Sequence, residues 1–326
     1  MISRLKVITS PQTYPYYNLG LELHLLETAA EGECILYLWR NRRSVVVGRN
    51  QLAENECDRR ALEADGGFLV RRKSGGGAVY HDLGNLNFTF LMPTPEFDEA
   101  RQSEVILKAM GHLGLDCQKT GRNDLLIDGR KFSGHAYYHH QGHSYHHGTI
   151  MLDVSMDDLE KYLHVSRLKL RDRHVRSVRS RVINLRELKG DLTMDQLKSA
   201  LTDSFEEVYG RKTETLTAGD LDEGRIEEYQ QMFASPEWIN DRIREYRCRA
   251  ENRYDWGVIR IDYDLEDGVI TGCAIHTDSL QADYLSELPE IIAGKRPEQL
   301  REVLTDSQYG QINSDIADLL NGKEQS

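Results

Sequence analysis

No stretch of this 326-residue sequence reaches the ~18 consecutive apolar residues that cross a bilayer. The opening, MISRLKVITSPQTYPYYNLG, has neither the apolar h-region nor the small-residue cleavage site of a secretory signal. Both absences lead to the expectation of a soluble, cytoplasmic protein with no membrane partner. Cysteine is sparse as well. The five thiols (Cys34, Cys57, Cys117, Cys248, Cys273) are odd in number, widely scattered and include no CxxC pair. Free thiols in a reducing compartment are expected. Positive charge is in deficit, with 41 Lys plus Arg against 53 Asp plus Glu and a formal net charge of -12. An acidic chain repels phosphate backbones, which excludes a general polyanion binder and leaves no nucleic-acid partner expected. Internal repeats and low-complexity tracts are also missing.

What is present suggests two domains around well-buried cores. Asn18 is placed to cap a helix running to about Ala30, with Leu19, Leu23 and Leu26 on one face. CILYLW (34–39) and SVVVGR (44–49), joined by the charged RNRR, read as a hairpin. FLVRR (68–72) is a strand that leads into Ser74-Gly75-Gly76-Gly77, and AVYHD (78–82) follows. After a Gly84-Asn85 turn, LNFTFLM (86–92) alternates apolar and polar residues, the pattern of a half-buried strand. Val105, Ile106, Ala109, Met110 and Leu113 form a helical stripe, and Asp128-Gly129 marks a hairpin between LLI and RKFSGHAYY. HHGTIMLDV (146–154) is a further strand. Thr193 and Gln196 form a capping box for a helix ending at Tyr209, with Gly210 just beyond. Strands and helices mixed without βαβ alternation give an α+β class built on a mixed sheet. A second, smaller α+β unit begins near residue 250, with WGVIRIDYD and GVITGCAIH about an Asp267-Gly268 turn, so the expected division is 1–246 and 250–326.

Three consecutive glycines expose several backbone N–H groups with no Cβ in the way, so the loop at 75–77 can wrap an anionic oxygen. A flexible turn has the same composition. Arg71, Arg72 and Lys73 just before it suit an anion, or else a solvated basic strand end. Asn123 and Asp124 put an amide beside a carboxylate, which can serve Mg²⁺ or an Asx turn. Lys131 gains interest only beside these pieces. A lysine between a carboxylate and a phosphate offsets the repulsion of two anions and the charge that builds between them. Six histidines (His135, His139, His140, His143, His146, His147) crowd thirteen residues, which raises a histidine-rich metal-binding protein as an alternative. Strand alternation splits such a set between two faces, so a solvated histidine-rich hairpin is expected instead.

Together, RRKSGGGAVYHDLGNLNFTF (71–90), GRNDLLIDGRKFSGHAYY (121–138), YHHGTIML (145–152) and SVRSRVINLREL (177–188) resemble the lipoate-protein ligase A family in order and spacing. The unit starting ENRYDWGVIRIDYD is similar to the accessory domain of its two-domain members. The resemblance implies a catalytic domain of the biotin/lipoate ligase type, related to class II synthetase cores. It implies ATP-dependent ligase chemistry in which lipoate and MgATP give lipoyl-AMP and a lysine of an acceptor protein then displaces AMP. The implied acceptors are lipoyl domains of 2-oxoacid dehydrogenase complexes or the glycine cleavage H protein. Carried over, Lys131 is catalytic, touching the lipoyl carbonyl and the α-phosphate, and Asp124 holds Mg²⁺ with Asn123 beside it. Arg72 and the backbone of Gly77, Ala78, Val79 and Tyr80 bind the nucleotide, with Ser74, Gly75, Gly76, His81, Asn85, Ser133 and His147 around the same site.

An octanoyl or lipoyl transferase of the same superfamily is the nearest rival, and it needs a thiolate after the lysine. No cysteine lies between Cys117 and Cys248. A last feature is the basic run from Arg167 to Arg186, which is either a solvated loop or a surface whose outer arginines steer an acidic acceptor domain onto the site while those near Arg179 and Arg181 help cover it.

Overall fold

The structure, a computed structural model, describes residues 1–120, 123–164, 181–240 and 245–322. The basic run from Arg167 to Arg179 therefore lies outside the described residues. The strands are β1 (Arg4–Thr9), β2 (Glu33–Trp39), β3 (Ser44–Val47), β4 (Phe68–Arg71), β5 (Val79–His81), β6 (Asn85–Pro93) and β7 (Gln118–Thr120). They continue as β8 (Asp124–Ile127), β9 (Arg130–His140), β10 (His143–Met151), β11 (Thr213–Thr215), β12 (Cys248–Tyr254), β13 (Gly257–Glu266) and β14 (Val269–Thr277).

An eight-stranded sheet in the order β11-β1-β2-β6-β10-β9-β8-β7 forms the body of the first unit, parallel only at β11-β1-β2. One face packs Leu36, Leu38, Phe88 and Phe90 against the helices Glu99–His112 and Met194–Tyr209. The other carries Tyr37, Leu91 and Tyr145 under the helices Pro15–Thr28 and Glu223–Ala234. Beside it lies a small sheet, β4-β3-β5, tied to the first helix by Tyr16, whose hydroxyl donates to the Leu69 carbonyl at 2.9 Å.

Local signals place most boundaries. Thr193 and Gln196 make the capping box, and Gly210 ends that helix in the left-handed region at φ +67°. Asp128-Gly129 (φ +50°, +72°) and Asp267-Gly268 (φ +51°, +77°) close hairpins with both residues left-handed.

Three expectations fail where tertiary contacts intervene. The strands at 34–39 and 44–49 are no hairpin, because β2 joins the large sheet and β3 the small one. The first helix starts at Pro15, which fits its opening turn without needing an N–H donor. Asn18 is therefore internal, and its buried side chain bonds the Arg40 carbonyl and Asn41 instead of capping. Strand β6 is buried on both sides, since its polar residues face the helix Pro15–Thr28 and a cleft, not solvent.

The second unit, β12-β13-β14 with the helices Ala282–Ile292 and Gly310–Leu320, has its own core of Ile259, Ile261, Ile275, Leu285, Leu288 and Ile316. No helix among the described residues is long and apolar enough to cross a membrane.

Candidate functional site

The glycine loop leaves β4 and is held from beneath. Arg71 and Arg72 do not stand together as free cations facing an anion, as expected from their order in the chain. Arg71 is buried and donates to the carbonyls of Gly48 (3.1 Å), Gln51 (2.6 Å) and Ile239 (2.8 Å). Arg72 donates to the carbonyls of Val46 (3.1 Å) and Gly77 (2.9 Å) and to Ser74 Oγ (3.0 Å). Burial lowers its pKa to about 10, so it remains a cation at neutral pH. Lys73 sits 4.4 Å above the Trp238 ring centroid. At the loop's edge a Cβ on Gly48 would lie 2.2 Å from the Gly76 carbonyl oxygen, so the two backbones touch directly. From Ser74 a chain runs inward. Its hydroxyl meets His147 Nε2 at 2.7 Å, and His147 Nδ1 meets the buried Glu22 carboxylate at 2.9 Å. The loop is thereby anchored to the helix Pro15–Thr28.

Lys131 owes its direction to a β-bulge. The β8/β9 register shifts between Leu125 and Leu126, which pair with Ser133 and Lys131, so Phe132 is the extra residue. Phe132 turns into the helix-packed core, and the shift in phase puts Lys131 on the same face as Gly134 and Ala136. Lys131 Nζ then lies 2.7 Å from Asp124 Oδ1. It also lies 2.6 Å from where a Cβ on Gly134 would stand. Asn123 is fixed by His135, whose N–H donates to its carbonyl and whose carbonyl accepts from its Nδ2, both at 2.8 Å. On the other side Ile183 N–H donates to the Lys131 carbonyl at 2.9 Å, so the last part of the basic run is pinned beside the lysine. Arg186, at its end, pairs with Asp153.

The histidine-rich hairpin is not solvated throughout. His135, His146 and His147 are buried, His140 and His143 are half-buried, and of the six only His139 is exposed. Ser133 Oγ, His135, His146 and Gln102 form a chain at 3.0, 2.9 and 2.9 Å beneath the sheet. Among the described residues no three His, Cys, Asp or Glu side chains converge as a metal site. Burial lowers His81 and His135 to about 3 and His146 well below its usual value. These imidazoles are neutral in the fold but protonate in the unfolded chain near 6.5, so stability is complete above about pH 6.5 and falls as pH drops toward 3. Each such histidine removes up to about 1.4 kcal/mol per pH unit in that window. The urea midpoint should therefore fall clearly between pH 7.5 and 5.5, although Asp283, raised to about 6 by burial, takes up a proton in this window and offsets part of the loss; an unchanged midpoint would show that these imidazoles are solvated.

Of the residues singled out in the sequence, Arg72, Gly76, Gly77, Ala78, Val79, His81, Asn123, Lys131 and His147 line one cleft of about 630 Å³, part of it open to solvent. Asp124 joins them through its ion pair with Lys131. Five others stand behind its wall. Ser74 and Asn85 are buried and bond neighbouring side chains, and Tyr80 turns its hydroxyl away to Asp158. Ser133 faces the opposite side of the sheet with His135. Gly75 packs against the second unit, where a Cβ would be 2.4 Å from the Ser279 carbonyl oxygen. That carbonyl also accepts from Gly76 N–H at 3.0 Å, so one loop donor is engaged by the second unit. Sequence reading missed Leu19, Trp39, Asn87, Gly134 and Thr149, all of which line the cleft. The signal for Asn87 is its polar position in the alternating strand β6, a pattern that by itself fits a solvent face equally well.

Comparisons with known proteins identify the family and the fold. Residues 14–206 match the family Lipoyl protein ligase A/B catalytic domain, and residues 244–321 match Bacterial lipoate protein ligase C-terminus. The chain is 37% identical over 299 residues to lipoate-protein ligase A of Psychrobacter cryohalolentis, covering 89% of this chain and 88% of that protein. The crystal structure of P. falciparum LipL1 in complex with lipoate superposes with a TM-score of 0.83 at 25% identity, covering 96% of this chain and 99% of the other. A lipoate-protein ligase A bound with ATP gives 0.63 at 26% identity, covering 74% of this chain and 99% of that one. A bipartite lipoate protein ligase of Thermoplasma acidophilum, solved in a study of that ligase and its E2 lipoyl domain, gives 0.64 at 28% identity, covering 76% and 100%.

Proposed function

This chain belongs to the lipoate-protein ligase A family, and from that premise we propose that its cleft activates lipoate with ATP and delivers it to an acceptor lysine. The protein is a lipoate-protein ligase. In the first half-reaction a lipoate carboxylate oxygen attacks the α-phosphate of ATP, and pyrophosphate leaves. In the second, the amine of the acceptor lysine attacks the acyl carbonyl, a C–N bond forms, and AMP departs.

The observation that carries this reading is the Lys131 amine, poised over Gly134 in one cleft with the Asn123-Asp124 run and the glycine loop. There it offsets the repulsion between carboxylate and phosphate and the charge that builds on the phosphoryl oxygens. Arg72 holds the Gly75 and Gly77 carbonyls turned back, which leaves N–H groups of the loop for the nucleotide. Gly76 N–H is bonded to Ser279, so the second unit has to withdraw before that group meets a phosphate. Asp124, with the Asn123 amide oxygen beside it, fits a Mg²⁺ that takes one protein carboxylate and completes its shell from phosphate and water. Bound there, the ion supplies charge neutralisation for the phosphates. The acceptors are lipoyl domains of 2-oxoacid dehydrogenase complexes or the glycine cleavage H protein, in keeping with the archaeal relative studied with its E2 lipoyl domain. Five free thiols suit a cytoplasmic setting.

A thioester route finds no support in the cleft, which no cysteine lines. Burial pushes the Cys117 thiol to about 11 and those of Cys57 and Cys273 to about 12, away from the reactive thiolate. The test is pyrophosphate release from ATP and Mg²⁺ with lipoate, with and without an acceptor domain. One burst per enzyme without acceptor, and steady release with it, is expected; no lipoate-dependent release would overturn the assignment.

A further inference from the structure

Two buried nitrogens of the cleft wall have no hydrogen-bond partner among the described residues: His81 Nε2 and Asn87 Nδ2. Both are donors: an anchored chain of bonds fixes this for His81, and the bond from Asn85 assigns it for Asn87. The Arg40 carbonyl accepts from Asn18 Nδ2 at 2.9 Å, which turns the Asn18 amide so that the same nitrogen also donates to Asn41 Oδ1 at 2.9 Å. Asn41 therefore presents Nδ2 to His81 Nδ1 at 3.2 Å. A neutral His81 accepting at Nδ1 carries its proton on Nε2. Asn87 accepts from Asn85 Nδ2 at Oδ1 (3.0 Å), which leaves its own NH₂ as the unpaired end. His81 and Asn87 are 3% and 2% exposed, so water outside the cleft does not serve them. A buried donor left without an acceptor is costly, and the cleft is the side from which an acceptor arrives.

Their place along the cleft says which part of a ligand that is. On the cleft face, Trp39 pairs with Asn87, and Asn87 pairs with Thr149. Thr149 Oγ1 accepts from Gly134 N–H at 3.4 Å, and Gly134 lies beneath the Lys131 amine. A straight row thus crosses four strands from Lys131 to Trp39, with Asn87 about 10 Å and Trp39 about 14 Å from its start at ordinary strand spacing. The Trp39 ring stands edge-on to the His81 ring at 6.3 Å, so both donors flank the tryptophan end. An acyl chain whose carboxyl group sits at Lys131 advances about 1.25 Å per carbon. Its tail, at the eighth carbon of octanoate or the dithiolane sulfurs of lipoate, then lies about 9 Å on, level with Asn87, and the Trp39 strand stands beyond it as the end of the row.

We infer that Asn87 and His81 are specificity-determining residues that read the sulfur end of the acid, donating N–H to the dithiolane sulfurs. The inference rests on the reading that Lys131 holds the carboxyl end. A thioether-like sulfur is a weak acceptor, and a methyl group is none. Octanoate of the same reach leaves both donors unmade in a dry wall, whereas lipoate meets them. A site built to make polar bonds rejects the analogue that lacks the partner far better than an apolar pocket separates chain lengths. Selectivity is thus encoded in the donors, and Trp39 supplies only the shape.

The experiment measures kcat/KM for pyrophosphate release with lipoate and with octanoate. The wild-type protein should favour lipoate at least tenfold. Asn87→Leu, which removes the donor and keeps the volume, should bring the two acids within about threefold of each other, mainly by improving octanoate. Asn87→Asp serves as the second variant in case leucine disturbs Asn85. It replaces a donor by an acceptor and should lower lipoate more than octanoate. Retention of the wild-type ratio in both variants would overturn the inference while leaving the ligase assignment intact. Absence of release with either acid in the wild-type protein would instead sink the assignment itself.

Discussion

Replacing Lys131 with alanine should slow lipoyl-adenylate formation by about a thousandfold, the scale expected when one preorganised charge is removed from a phosphoryl or acyl transition state. The fold should not notice. The lysine and its partner Asp124 have side chains 35% and 37% exposed, so water takes over the carboxylate when the amine is gone. A companion substitution separates the presence of the amine from its position. A Cβ on Gly134 would lie 2.6 Å from Lys131 Nζ and 2.7 Å from its Cε. Those atoms are the far end of a flexible chain, so Gly134→Ala folds at little cost yet pushes the amine off its place. Its adenylation rate should fall about tenfold to a hundredfold with the lysine still present, because a misplacement of about 1 Å is enough. Single-turnover adenylation in Lys131→Ala within tenfold of the parent would remove Lys131 from the chemistry. Parental rates in Gly134→Ala alone would show that the amine finds its ligand from elsewhere.

The second large effect is on stability. Arg71 is the largest fully buried side chain of the structure, and its guanidinium holds the carbonyls of Gly48, Arg49, Gln51 and Ile239. Exchange for methionine keeps much of the volume but leaves these acceptors buried and unpaired, at about 1–3 kcal/mol for each that water does not reach. A loss of at least about 3 kcal/mol is expected, which lowers the melting temperature of a chain this size by roughly 5 °C. Arg71→Lys should recover only part of it, because one ammonium cannot match a planar five-donor fork. A melting temperature for Arg71→Met within about 2 °C of the parent would show that the carbonyls find other donors. The loss should also spread to the neighbouring loop, where Asn50 accepts from Thr277 of the second unit.

The contrast between these two residues shows where sequence reasoning reaches. Arg71, Arg72 and Lys73 are adjacent cations before a glycine run, and charge alone assigns all three to an anion. Their separate fates come from alternation along β4 and the loop that follows. Arg71 is directed under the 48–51 turn, Arg72 beneath the glycine carbonyls and Lys73 onto Trp238. The turn at 48–51 and Trp238 are distant in the chain, so no window around residue 71 contains them.

The sequence by itself determined what short-range physics controls. The capping box at Thr193, the left-handed Gly210 and the Asp-Gly hairpins depend on dihedral preferences and hydrogen bonds within four or five residues, and all stand as the residues imply. The family was also legible, because the segments that resemble it are a few continuous stretches of chain. Tertiary structure alone decided which face each residue presents. A single extra residue at Phe132 reverses the strand phase and aims Lys131 into the cleft. Covering helices turn the polar side of β6 from a solvent face into the wall of a cleft, and the same burial makes neutral, bonded groups of histidines expected in water. Burial and register depend on what packs from elsewhere in the chain, and a pattern of polar and apolar residues does not say whether the polar side meets water, a partner side chain or a substrate.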